Sequence, residues 1–223
     1  MATDQVLSRL DTIGQNIDFL SNSVHNGKMR SKKLTHNPDV FKNKGVFSLE
    51  GVKKLGISHQ TLYRWIEQGK IQQVGRGTFL HSSSELPPEE YDYATACAKF
   101  GTQAAIGGLT ALFKYGLIEQ VPQQVWVVVP SNRKTSQGIY RCLRTTTKFK
   151  EGIENFGHYR ITNIERTLLE ALKFASKIGP RVAIHATRKA IQDGLTTEMK
   201  LGKLADKLKL RKVFEKYWEA IIS

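Results

Sequence analysis

The sequence predicts an α+β fold in three consecutive parts: an N-terminal helix, a small helical unit closed by a β-hairpin, and a larger α+β unit with a small sheet and C-terminal helices. Three observations predict it. Apolar residues recur at alternating spacings of four and three over residues 4–24, which is one face of a helix. Between residues 39 and 80, two serines stand directly ahead of apolar-periodic runs, and Gly75-Arg76-Gly77 joins two strand-like runs. Beyond the polar, proline-bearing border Ser82-Ser83-Ser84-Glu85-Leu86-Pro87-Pro88, β-branched runs give way to amphipathic ones. The parts are bounded at residues 1–36, 37–86 and 87–223.

In the first part, Val6, Leu10, Ile13, Ile17, Leu20 and Val24 form a heptad seam, with Asp4, Asp11, Gln15 and Asp18 off it. A helix this short needs a partner surface. Two partners stay open: the body of the same chain, or the same seam of a second chain, which makes a homodimer. Asn26-Gly27 stops the helix. The basic run Lys28-Met29-Arg30-Ser31-Lys32-Lys33 follows, as a solvated linker or as an arm that touches phosphates.

In the second part, Asn37-Pro38 opens a short helix bearing Val40 and Phe41. Ser48 caps a second helix over residues 49–54, whose Leu49, Val52 and Leu55 face inward. Gly56 supplies a sharp turn. Ser58 caps a third helix running to about Gln68, with Leu62, Trp65 and Ile66 inward and Gly69 as its stop. Residues 71–74 and 78–80 are the strands of the hairpin. This order is the sequence form of a winged helix-turn-helix, in which a small residue at the turn lets the third helix cross the second steeply. The third helix then offers His59, Gln60, Tyr63 and Arg64 to base edges in a major groove, with Ser58 and Thr61 within phosphate range. Glutamine pairs bidentately with adenine and arginine with guanine, so this set suits sequence reading. Arg76, between two glycines, reaches a minor groove or a phosphate.

The third part reads as helices at residues 91–100, 107–115, 164–175, 181–191, 200–208 and 211–222. Strands are expected at 125–129 and 140–147, with another at 158–161. Such a length is enough for a core of its own.

Composition narrows the function classes. The chain is 40% hydrophobic and 24% charged, an ordinary globular balance that argues against wholesale disorder. No apolar run approaches the roughly 20 residues needed to cross a bilayer, and Met1-Ala2-Thr3-Asp4 lacks the basic start of a signal peptide. Cys97 and Cys142 are too few for a disulfide framework. A cytoplasmic protein without membrane partners is expected. The formal charge is +14, and it is unevenly spread: −2 over residues 1–27, +8 over 28–76 and +10 over 90–223. A field of that sign favours polyanions, and its coincidence with the winged-helix pattern points to double-stranded DNA.

The residues also carry a family resemblance. Gly45-Val46-Phe47-Ser48-Leu49, Leu55-Gly56-Ile57-Ser58, Thr61-Leu62-Tyr63-Arg64 and Val74-Gly75-Arg76-Gly77 resemble the N-terminal winged helix of AbiEi-type antitoxins. Those are transcriptional regulators of the type IV abortive-infection toxin–antitoxin systems of bacteria. Leu109 to Leu117, Val125 to Pro130 and Ile164 to Glu170 are similar in order and type to that family's antitoxin domain. The resemblance implies a repressor that binds operator DNA and controls its own operon. It also implies that the second domain counters a nucleotidyltransferase-like toxin without a stable complex. The N-terminal seam lies outside the family's pattern, so no oligomeric state is carried over.

A search for enzyme chemistry finds no phosphate-binding Gly-rich loop, no HExxH and no Cys/His metal spacing. No catalytic residue, metal ligand or cofactor is therefore assigned. Glu165, Arg166 and Glu170 form the one tempting charged set. Glu165 at a helix start is favoured by the dipole, and Arg166 and Glu170, four residues apart, can pair. His185, beside Arg181 and Arg188 on a helix, reads as a surface or half-buried residue, and the two cysteines as small core residues. Two alternatives stay open: a one-component regulator whose second domain senses a ligand, and a nucleic-acid-processing enzyme.

Overall fold

The structure, a computed structural model, describes residues 37–135 and 137–223. The seam residues Val6, Leu10, Ile13, Ile17, Leu20 and Val24 lie outside the described residues.

A single 3-10 turn, Pro38–Phe41, opens on the Asn37 side chain, which accepts the Asp39 amide at 3.0 Å. Two short segments then lead into the helix pair: β1, Phe47–Ser48, and α1, Leu49–Lys54. Ser48 ends the strand and caps the helix, its Oγ accepting the Gly51 amide at 3.2 Å. Gly56 sits at φ +72°, the left-handed conformation that lets the chain turn at once into α2, His59–Glu67. The wing is β2, Ile71–Gly75, antiparallel to β3, Thr78–His81, with an irregular register between Gln73 and Gly75. β1 was not foreseen; it pairs with β3 through Phe47↔Phe79 and makes a three-stranded sheet in the order β1-β3-β2. Phe41, Phe47, Val52, Leu62, Trp65 and Phe79 fill the core of this module, with Phe41 stacked on Phe47 at 4.0 Å between centroids.

The remainder is built on a five-stranded sheet ordered β6-β5-β4-β8-β7. Its strands are β4, Ala105–Ile106; β5, Val125–Pro130; β6, Tyr140–Thr145; β7, Ile153–Asn155; and β8, Arg160–Thr162. The run Val125-Trp126-Val127-Val128-Val129 is apolar throughout because both faces of β5 are covered. Val127 and Val129 face α3, Tyr91–Phe100, together with Cys97 and Phe100. Trp126 and Val128 face the opposite side, where α4, Gly108–Lys114, and α5, Ile164–Lys173, cover the sheet. Four further helices complete that layer: α6, Ala175–Ile178; α7, Pro180–Gln192; α8, Glu198–Leu208; and α9, Arg211–Ile222. The class is α+β, as expected. One expected helix, 164–175, instead ends at Lys173 and is followed by α6.

The two cores meet at α3. Val46 and Leu80 from the winged helix pack with Leu86 and Ala94 in a small cluster of their own. Gly45, at φ +60°, lies so close to the His158 imidazole that a Cβ there would overlap Nδ1. Tyr159, beside it in sequence, donates its hydroxyl to the Glu90 carboxylate at 3.3 Å, and burial together with that carboxylate pushes its phenol up to about 12. All described residues accordingly fall within one compact unit.

Candidate nucleic-acid interface

The phase of α2 is set by what it buries. Leu62 is fully buried and Trp65 is 2% exposed. With those two side chains inward, positions 59, 60, 63, 64 and 67 must point out. His59, Gln60, Tyr63 and Arg64 are all exposed, and the His59 and Tyr63 rings lie 4.8 Å apart, so they form one continuous strip along the first two turns. Tyr63 keeps 47% of its surface exposed, high for an aromatic residue with no described partner beyond that histidine.

At the N-terminus of the helix one backbone amide is satisfied internally. Ser58 Oγ accepts the Thr61 amide at 3.1 Å and lies 2.9 Å from the Thr61 hydroxyl. Here the structure departs from the expectation. Thr61 is 7% exposed, and its hydroxyl is committed to Ser58, so its side chain faces the module and does not reach outward. A residue two positions after the first helical one falls on the inner face that Leu62 and Trp65 define. Ser58 itself stays exposed at the helix start, where unpaired amides favour an anion.

Arg76 is exposed at the tip of the wing, between β2 and β3. Lys42, Lys44, Lys53, Lys54 and Lys70 are exposed on the same module, against Asp39, Glu50 and Glu67. Glu50 is tied up: Lys54 Nζ lies 2.9 Å away and holds its carboxyl below the usual carboxylate range, with a smaller contribution from Arg133. The module therefore presents a polar and aromatic strip on the outer face of a helix, flanked by an excess of cations. That combination suits a duplex, with phosphates for position and base edges for specificity.

The tempting charged set of the second unit has a structural explanation. Arg166 and Glu170 pair, and both are completely buried. Arg166 also donates to the carbonyls of Lys148 and Phe149, at 2.8 and 3.0 Å, and to that of Glu151, closing the loop that follows β6. The carboxylate of Glu165 accepts from the Thr196 hydroxyl at 2.9 Å. Burial pushes the thiols of Cys97 and Cys142 up, away from the reactive thiolate. Among the described residues, no group of three or more His, Cys, Asp or Glu is placed to hold a metal ion. No described helix is long and apolar enough to cross a membrane.

No curated protein matches the chain. Residues 38–80, from the opening 3-10 turn through the wing, match the family model described as "Transcriptional regulator, AbiEi antitoxin". The resemblance read from the sequence thus extends over the winged helix, where residues 38–80 are similar to the AbiEi antitoxin family of transcriptional regulators.

Proposed function

We propose that the chain is a sequence-specific repressor that reads double-stranded operator DNA in its own promoter through α2 and the wing. The observation that carries this is the outward strip His59, Gln60, Tyr63 and Arg64 on a segment matching a regulator family. Gln60 and Arg64 read bases, His59 and Tyr63 pack against the groove, and Ser58 and Arg76 hold phosphate or minor groove. The residues at 87–223 act as the antitoxin part, countering a nucleotidyltransferase-like toxin in the type IV manner, without a stable complex and without catalysis. The seam at Val6, Leu10, Ile13, Ile17, Leu20 and Val24 joins two chains, so that the operator holds paired half-sites.

Anisotropy titration of the full chain on the duplex upstream of its own gene tests the repressor reading. Gln60→Ala and Arg64→Ala should each cost about 1–3 kcal/mol on that duplex, roughly 5- to 150-fold in affinity. On a scrambled duplex Gln60→Ala should change little. Equal losses on both duplexes would remove Gln60 from the reading set. The seam is tested separately by sedimentation. The wild-type chain should be a dimer at micromolar concentration, and Ile13→Asp with Ile17→Asp should make it a monomer. A monomeric wild type would place the seam on its own body.

A second reading, a one-component regulator whose second unit senses a small molecule, draws on a cavity in that unit.

A further inference from the structure

On the face of the sheet opposite α3, a cavity of about 820 Å³ opens between the loop at residues 116–124 and α7. Its floor is apolar and well buried: Leu117, Trp126 and Ile178 are 1%, 7% and 7% exposed, and Val182 lies beside them. Its wall on α7 is basic. Arg181, His185 and Lys189 fall four residues apart and so share one helix face. Lys189 is partly neutralised by Asp193 at 2.6 Å, whereas Arg181 is exposed and pairs with no acid among the described residues. The lip carries Glu119 and Val121, the latter 65% exposed.

We infer that this cavity binds a small organic anion with an apolar body, seated on Trp126 and Ile178 with its acidic group toward Arg181 and His185. Volume favours a small molecule, since such sites span about 300–1,000 Å³ and combine an apolar lining with a few polar groups. Charge gives the sign of the ligand. The rim offers one uncompensated guanidinium, a shared ammonium and an imidazole against a single carboxylate. The apolar lining explains why an inorganic anion would not suffice: it would leave the partly exposed Leu109, Ile118 and Val182 facing water. The inference rests on this geometry alone and does not depend on DNA binding or on toxin neutralisation.

The test uses the full chain and two probes of matched shape, 8-anilinonaphthalene-1-sulfonate and its uncharged counterpart N-phenyl-1-naphthylamine. The sulfonate should bind saturably at one site per chain, at least tenfold more tightly than the neutral probe. Arg181→Glu with Lys189→Gln should weaken the sulfonate at least tenfold and leave the neutral probe unchanged. Val121→Glu, an exposed lip position with little bearing on folding, should weaken the sulfonate in the same direction. Lys212→Glu with Lys216→Gln on α9, the same change in net charge made elsewhere, should have no effect. Equal binding of the two probes, several sites per chain, or indifference to both the Arg181/Lys189 and the Val121 substitutions would overturn the inference.

Discussion

Replacing Arg166 with methionine is expected to destabilise the chain by about 3–5 kcal/mol, the range for breaking a buried pair by removing one partner. The substitution removes the donors to the carbonyls of Lys148, Phe149 and Glu151, and it strips Glu170 of the guanidinium whose Nε donates to Oε1 at 3.1 Å. The other carboxylate oxygen of Glu170 is buried with no hydrogen-bond partner among the described residues, so only the weaker field of Lys173 is left to offset the charge. Burial already pushes this carboxyl up, with Arg166 pulling it back. Without Arg166 it rises further. A carboxyl raised in the folded state favours the native form most below its unfolded value near 4.5, and that contribution is lost as pH rises through the folded value. Urea denaturation should therefore show a larger penalty at pH 8 than at pH 5. Arg166→Met with Glu170→Leu should recover part of the loss, because no charge is then left buried. A cost under about 1 kcal/mol would show that the pair and the loop closure contribute little.

Gly45→Ala is the second large effect, about 2–4 kcal/mol. Two costs combine. At φ +60° any side chain is in the left-handed region, and a Cβ there would overlap the His158 imidazole. The second substitution His158→Ala should relieve the overlap and leave only the backbone cost of about 1–2 kcal/mol. The contact joins the winged helix to the hairpin of β7 and β8, so the unfolding curve should remain a single transition in all three variants. A Gly45→Ala protein within about 0.5 kcal/mol of wild type, the scatter of ordinary surface substitutions, would show that the two parts are free to separate here.

Where local chemistry decides, the chain was readable from its sequence. Ser48 and Ser58 each stand where a helix begins, and the spacing of Leu62 and Trp65 sets which residues of α2 turn outward. The misses share a different cause. β1 and β4 are two residues long, too short for any alternation to show, and their pairings come from far along the chain, as in Ala105↔Val128 and Ile106↔Ile161. β5 and β6 run parallel although only residues 131–139 join them, where a connection that short ordinarily marks an antiparallel pair. Thr61 was misplaced because a hydroxyl at a helix start can cap inward as readily as it can reach a phosphate. The pairing of Arg166 with Glu170 was legible from their spacing, but its complete burial was not, because the loop that covers it precedes the helix by some fifteen residues. The cavity left no sequence signal, since the 116–124 loop and α7 lie more than 50 residues apart in the chain and are brought together only by the fold.

The central claim is that α2 reads base sequence through Gln60 and Arg64. In vitro selection from a random duplex library, with the full chain as bait at physiological salt, tests it most directly. The wild type should enrich a defined motif. Gln60→Ala and Arg64→Ala should each relax the motif at a different base pair, while a variant at Arg76 should lower recovery without changing the sequence selected. Enrichment of no sequence by the wild type, or an identical motif from wild type and the Gln60→Ala, Arg64→Ala double variant, would contradict the claim.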